Sequence, residues 1–281
     1  MFSELFKSEK IEVISKLPFD KCRVLNERKI QKCFQDEKPL SVIVFAVPYL
    51  SHKTFYNKGR NISLYSCVPD YHLYFSLLFD RLISKLKEKF PQNRFAGFGD
   101  NSPIDERAAA LSCNLGFCGD NGLVINEKYS SFFFIGELIC DVDFDKIDIR
   151  IPSKSKSECL HCNKCKEVCP MNLSGIECLS ALTQKKGELS PFEENVIKKY
   201  GSAWGCDICQ LVCPYTEKAV DAGSIFSTID YFCESEMTCI DRTYIENLSD
   251  EEFSKTAFAW RGRATILRNL AIIYSDKTEG N

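Results

Sequence analysis

Residues Cys159-Leu160-His161-Cys162-Asn163-Lys164-Cys165-Lys166-Glu167-Val168-Cys169-Pro170 form a C-x2-C-x2-C-x3-C-P run, and a shortened copy follows as Cys206-Asp207-Ile208-Cys209-Gln210-Leu211-Val212-Cys213-Pro214. Cysteines two residues apart on a tight loop bring thiolates to adjacent corners of one iron–sulfur cubane. The three-residue step before proline sends the last thiolate to a neighbouring cluster, as in a bacterial two-cluster ferredoxin. Zinc favours four thiolates from two separate C-x2-C pairs and has no use for the third cysteine of the first run. A disulfide framework suits small secreted domains, whereas this chain has 281 residues with neither a signal peptide nor a long apolar stretch. The spacing therefore implies two [4Fe–4S] clusters and one-electron chemistry.

Two such clusters need eight thiolates, and the two motifs supply seven. The position expected for the second motif's leading cysteine falls in Ala203-Trp204-Gly205. Cys178, nine residues after Cys169, is the nearest candidate for the eighth ligand, with Cys233 and Cys239 as substitutes. The resulting assignment places Cys159, Cys162, Cys165 and Cys213 on one cluster and Cys169, Cys178, Cys206 and Cys209 on the other. The remaining eight cysteines read as small buried hydrophobes in a reducing cytoplasm.

Hydrophobic residues make up 44% of the chain and aromatic residues 12%, as in ordinary soluble globular proteins. A net charge of −3 and a pI near 5.8 give no global electrostatic case for nucleic-acid binding. No transmembrane segment or lipidation signal is visible.

Outward from the cysteines, the first forty residues are mixed and charged and predict helix. Ser41–Val47 is a continuous apolar, β-branched run ended by Pro48, a buried strand. Asp70–Phe90 has helical periodicity through Tyr71, Tyr74, Leu78, Leu82 and Leu86, with lysines in the last turn and Pro91 beyond. Gly97–Pro103 is turn-rich and leads to a helix near Ile104–Leu111. Leu115–Gly122 is glycine-rich, and Leu123–Asn126 and Ser131–Cys140 read as strands. The hydrophilic Asp141–Ser157 marks a domain boundary. Arg261–Tyr274 is an amphipathic helix whose arginines read as a solvated face on a packing helix in preference to a phosphate-contacting face.

Taken in order, these residues resemble the epoxyqueuosine reductases. The matching segments include Val47-Pro48-Tyr49-Leu50, Pro69-Asp70-Tyr71-His72, Gly99-Asp100-Asn101-Ser102-Pro103, Glu106-Arg107-Ala108, Leu115-Gly116-Phe117, Asn121 and Gly136-Glu137. Both cysteine motifs, the lone Cys178 and Leu267-Arg268-Asn269-Leu270-Ala271 continue the match, which covers residues 40–274. The resemblance implies an α+β chain. Residues 1–150 would form a nitroreductase-like, α/β sandwich-like corrinoid-binding domain, 151–222 a double-cluster ferredoxin-like domain, and 223–281 a helical segment.

The resemblance further implies cobalamin and two [4Fe–4S] clusters as cofactors. The activity would be reduction of the epoxide of a modified tRNA nucleoside, with a strongly nucleophilic Co(I) centre in the N-terminal domain. Electrons would come from an external flavodoxin- or ferredoxin-type donor, tRNA would be the partner, and the protein would be a cytoplasmic monomer. Asp100 matches the family's proton-donating aspartate, and burial against the corrinoid and aromatic side chains is expected to raise its pKa. Asp100, Asn121 and Gln210 are implied as cofactor contacts. Asp100-Asn101-Ser102-Pro103 is equally a good turn sequence.

Three departures accompany the match. Asp120 stands where the family usually has lysine, the Cys169–Cys178 connection is short, and the chain stops where typical members continue into helical repeats. Asp70-Tyr71-His72 starts like a corrinoid-binding DxHxxG motif, but no glycine follows in place, so His72 reads as a satisfied helix histidine. His52 and His161 read as lacking ligand neighbours. Two other functions fit the cysteines: a related corrinoid reductase acting on another substrate, as in the reductive dehalogenases, and a two-cluster electron carrier. The dehalogenases use a tyrosine as proton donor, so Asp100 favours the epoxyqueuosine reductases over them.

Overall fold

A computed structural model describes residues 1–153, 157–173, 178–233 and 237–275; residues 154–156 of the expected boundary segment lie outside them. Its strands are β1 (Ile14–Pro18), β2 (Ser41–Pro48), β3 (Phe95–Phe98), β4 (Phe117–Cys118), β5 (Val124–Ile125) and β6 (Phe133–Cys140). The helices of the first half are α1 (Phe2–Ser8), α2 (Glu27–Phe34), α3 (His52–Phe55), α4 (Tyr71–Lys89) and α5 (Glu106–Ser112). Then follow α6 (Lys164–Glu167), α7 (Leu179–Gln184), α8 (Pro191–Tyr200), α9 (Ile208–Leu211) and α10 (Pro214–Asp221). The last are α11 (Asp230–Cys233), α12 (Arg242–Asn247), α13 (Asp250–Ser254) and α14 (Arg263–Tyr274).

The strand expected at 41–47, the helix at 70–90 and the C-terminal helix are all present. The all-helical expectation for the first forty residues is corrected, because β1 lies between two helices there. β3 likewise occupies the start of the stretch expected to be turn. Both are edge strands of four or five residues, too short to display an alternating pattern. Their strand state is set by pairing with β2 and β6.

The chain divides into two compact units with interleaved boundaries. One comprises residues 1–49, 71–161 and 219–229, and the other 50–70, 162–218 and 230–281. In the first, an antiparallel sheet runs β1-β2-β6-β3. Every residue of β2 is buried, which explains its unbroken apolar run. One sheet face packs Val42, Val44, Ala46 and Ile139 against Ile30 and Phe34 of α2 and Ala109 and Ala110 of α5. On the other face Phe45 meets Phe6 of α1 and Phe75 and Phe79 of α4, at centroid distances of 5.0–6.3 Å.

Gly97, Gly99 and Gly136 make that second face possible. A Cβ on Gly97 would stand 2.1 Å from Phe79, one on Gly99 2.2 Å from Phe75, and one on Gly136 2.4 Å from Phe45. Gly136→Ala is therefore expected to destabilise the first unit by about 1–3 kcal/mol through overpacking. Chemical denaturation should show a lowered midpoint, and an unchanged midpoint would contradict this packing.

The second unit is helical. α8 opens with a complete Ser190–Glu193 capping box and closes on Gly201 in the left-handed conformation. Its apolar centre joins Trp204 and Phe258 to Ile266 and Leu270 of α14. Asn269 is fully buried in α14 and donates from Nδ2 to the carbonyls of Thr183 and Ala203 at 2.7 and 2.8 Å. Asn269→Leu should cost about 2–4 kcal/mol, since two buried carbonyls lose their donor; thermal melting reads this loss.

The arginines of α14 are neither a solvated face nor a phosphate site. Arg263 donates to the carbonyls of Ile245, Leu248 and Ser249, and Arg268 donates to those of Lys185 and Gly187. They satisfy carbonyls exposed where α12 and α7 end.

Candidate active site

β3 ends at Phe98, and the following turn carries Asp100 and Asn101 with φ of +75° and +48°. Consecutive left-handed residues without glycine are uncommon, and aspartate and asparagine tolerate that region best. The turn is pinned from several sides. Asn101 N donates to Asp100 Oδ1 at 2.6 Å, and the Asn101 carbonyl accepts from Lys29 Nζ. Tyr71 Oη donates to Asp100 Oδ2 at 2.9 Å, and His72 Nε2 lies 3.5 Å from the same oxygen. Tyr71 and His72 are the first residues of α4, and Tyr71 stacks between His72 and Phe134 at 4.2 and 4.3 Å. His72 is thus a satisfied helix histidine, as the sequence suggests.

Asp100 stands at the rim of a cavity of about 310 Å³ whose wall includes Tyr71, Phe75, Phe133, Phe134 and Glu106. Contrary to expectation, the contact with His72 and the donors Asn101 and Tyr71 outweigh burial and lower the Asp100 pKa to about 2. The raised carboxyl in this cavity is Glu106, pushed up to about 7 by burial and by the charges of Asp100 and Asp105. Glu137, on β6, is raised to about 8 by burial, with Glu106 and Asp105 adding to the effect. Sequence reasoning gave neither glutamate a role. The available signal was Glu137 as the one charge in the apolar run Phe132–Cys140, in phase with the inward-facing Ile135 and Ile139.

Asn121 lies in the loop between β4 and β5, where its Oδ1 accepts from Leu123 N at 3.2 Å. It does not line the Asp100 cavity. Gln210, in α9 of the other unit, donates weakly to Asp207 Oδ1 at 3.4 Å. His161 corrects the expectation that it lacks ligand neighbours: its Nδ1 sits 2.9 Å from Asp120 Oδ1, and the ligand atoms of Asp120, Cys159 and His161 lie within 4.8 Å of one another. Asp120 is forty-one residues from His161, so only folding brings them together.

In the second unit, which holds the cysteine motifs apart from Cys159, the two motifs share one local structure. α6 carries Cys165 and α9 carries Cys209, each helix being four residues long. Val168 and Val212 end them with nearly the same dihedrals, φ −90° and ψ −10° or −2°. Cys169 N donates to Lys166 O and Cys213 N to Gln210 O in matching turns. Cys178 is the N-cap of α7, where its sulfur accepts from Ala181 N. The Cys206 pKa is raised to about 12 by burial, reinforced by Asp207 and by the nearby Cys209 and Cys178 thiols. Three of the four proposed ligands of the second cluster therefore share one locality, and the donor set is that of a thiolate-bound cluster.

None of the sixteen cysteines forms a disulfide. Of the eight expected to be buried, Cys67, Cys113 and Cys140 are; Cys22, Cys33 and Cys233 are half-buried, and Cys118 and Cys239 are exposed. No helix among the described residues is long and apolar enough to cross a membrane.

The fold defines a mixed α/β protein that joins an antiparallel sheet unit to a cysteine-rich helical unit. No protein-family model matches the chain. Epoxyqueuosine reductase from Francisella cf. novicida is 30% identical over 258 residues, covering 83% of this chain and 68% of that protein. The Staphylococcus aureus enzyme of that name is 30% identical over 71% of this chain and 52% of its own length. The chain belongs to the epoxyqueuosine reductase family. It spans about half to two thirds of the length of the first curated relatives it matches. In fold it is similar to the Streptococcus thermophilus epoxyqueuosine reductase (TM-score 0.77, 22% identity, 98% of this chain and 80% of that one). It is also similar to an epoxyqueuosine reductase crystallised with an epoxyqueuosine-modified tRNA-Tyr stem loop (TM-score 0.75, 23% identity, covering 97% and 80%).

Proposed function

We propose that the chain reduces the epoxide of epoxyqueuosine in tRNA, using cobalamin and two [4Fe–4S] clusters. Residues 1–150 would bind corrinoid and carry the chemistry, 151–222 the clusters, and 223–281 a helical support. The observation that carries this reading is Asp100, held on a left-handed turn at the rim of an aromatic cavity in a member of this family. The aromatic wall with a carboxylate at its rim fits the face of a flat macrocycle with an acid beside it. Cys159, Cys162, Cys165 and Cys213 would hold one cluster, and Cys169, Cys178, Cys206 and Cys209 the other. When bound, the corrinoid supplies a strongly nucleophilic metal centre and the clusters supply single electrons. Asn121 and Gln210 are proposed to contact the cofactors from their loop and helix.

For proton transfer Asp100 has to leave the contacts that keep its pKa low. Apo contacts of catalytic acids commonly rearrange on binding. A related Bacillus subtilis structure (22% identity, TM-score 0.74) has its catalytic aspartate loop swung out of the active site. The matching turn here is anchored through Tyr71, His72 and Lys29, whose side chains can each rotate away. Partners under this reading are tRNA and a flavodoxin- or ferredoxin-type donor, with a cytoplasmic monomer as the working form.

The test is anaerobic reconstitution with iron, sulfide and cobalamin, followed by conversion of epoxyqueuosine-bearing tRNA with a low-potential donor. Stoichiometric corrinoid retention and formation of queuosine are expected. Retention without conversion would point to a corrinoid reductase of another substrate. No retention with intact clusters would leave an electron carrier.

A further inference from the structure

Glu137 is 1% exposed on β6, and neither of its carboxyl oxygens has a hydrogen-bonding partner. Ser102 is near enough to favour its charged form but not in bonding geometry. An unpartnered ionised carboxylate at such depth is costly, and the ordinary outcome is that the group keeps its proton. Its place on the strand is informative. Phe133 and Ile135 line the Asp100 cavity, and Glu137 is the next residue on the same strand face, one step deeper into the sheet. Glu106, at the start of α5, lines that cavity and interacts electrostatically with both Glu137 and Asp100. The three carboxyls thus form a series from the interior to the rim.

Reducing an epoxide to the alkene consumes two electrons and two protons and releases one water. The electrons come singly from the external donor, and Asp100 can supply one proton. We propose that Glu137 stores the second proton of this reaction and passes it, through Glu106, into the Asp100 cavity. The inference rests on the proposed epoxide reduction and adds to it the source of that proton. Glu137 acts through another group and touches no reacting atom, whereas Glu106 faces the cavity itself.

The charged and titratable surroundings favour this role. Facing Glu137 are Cys22 from the segment after β1, Cys113 from the end of α5, and Asp105 and Glu106 from its start. Both thiols are themselves pushed up, to about 12 and about 11, so they stay neutral. The cations of this region are engaged with other groups: Arg23 pairs with Asp105 at 3.6 Å, Arg107 lies beside Glu106, and Lys29 bonds the Asn101 carbonyl. β2 and β3 present only Val44 and Phe98 opposite Glu137. Among the described residues, no cation acts on the Glu137 carboxyl.

The test separates proton storage from turnover. Isotope-edited infrared spectroscopy of the intact protein should show, at pH 7, the carbonyl band of a protonated carboxylic acid without a hydrogen bond. The band should titrate near pH 8 and vanish in Glu137→Gln. A second readout needs no activity. A buried acid with a raised pKa contributes stability that is full below about pH 4.5 and lost as pH rises through about 8. Glu137→Gln should flatten that part of the stability profile.

In the reconstituted enzyme, Glu137→Gln and Glu106→Gln should each slow epoxide reduction by ~10²-fold and alter the alkaline limb of its pH profile, with Glu137→Asp restoring part of the rate. Absence of the band in the wild type overturns the proposal, as does its persistence in Glu137→Gln or an unchanged rate and pH profile in that variant. If Glu137→Gln does not fold, Glu106→Gln carries the kinetic arm, and an unaltered profile there overturns the relay. A correct infrared band in a wild type that reduces no epoxide would instead locate the failure in the proposed reaction.

Discussion

Asp100→Asn is expected to lower epoxide reduction by ~10²–10⁴-fold, the range lost when a positioned acid is removed, while leaving the fold in place. Asparagine suits the left-handed φ of +75° at this position; its amide oxygen can still accept from Asn101 N while its Nδ2 donates to the Tyr71 hydroxyl. Because the side chain is 56% exposed, the exchange disturbs no core contact. Thermal melting and corrinoid retention should therefore match the wild type, and the deficit should appear in kcat. Undiminished conversion by the variant would remove Asp100 from the mechanism. Since His72 and Tyr71 hold Asp100 in its low-pKa arrangement, Tyr71→Phe should raise the Asp100 pKa and move the fall-off in rate with rising pH upward, towards neutral, without abolishing activity. That distinguishes an aspartate released for proton transfer from one that merely shapes a turn.

Cys178→Ala is expected to lower the iron content of the reconstituted protein from about eight to about four atoms, because a cubane depends on four thiolates and the paired motifs supply only seven of eight. Its place at the N-cap of α7, in the locality of Cys206 and Cys209, supports this assignment. Cys239 is exposed and engaged with the Tyr274 hydroxyl, a poorer position for the same task. Cys178 also caps a helix, so Cys178→Ser is the control: serine can accept from Ala181 N but offers no thiolate. Equal iron loss in both variants identifies ligation as the cause. Eight irons in either variant would transfer the role to Cys239 or Cys233. Electron paramagnetic resonance of the reduced protein should correspondingly change from two interacting centres to one isolated centre.

Much of the fold was legible because its signals are local. The unbroken apolar run of β2 records burial on both faces, and the periodicity of α4 records packing on one. The short edge strands β1 and β3 were not legible, since their state depends on partners far along the chain. The arginines of α14 were read as a polar face, whereas they cap helix ends through carbonyls whose exposure no spacing rule reveals. At the candidate site, Asp100 was found through its resemblance to a family motif. The direction of its pKa, set by Tyr71 and His72 at the start of a helix, followed only from their placement.

The sequence by itself determined the spacing of the cysteine motifs on which the proposed cluster chemistry rests, because ligand spacing is a property of a few consecutive residues and needs no long-range information. It also set the count of seven motif thiolates and singled out Cys178 as the candidate for an eighth. Tertiary structure alone decided which carboxyls hold protons. A glutamate's pKa depends on the depth of its carboxyl and on the charges that folding brings near it. Glu137 and Glu106 thus emerge as raised acids of the first unit, whereas Asp100 at the same cavity is lowered.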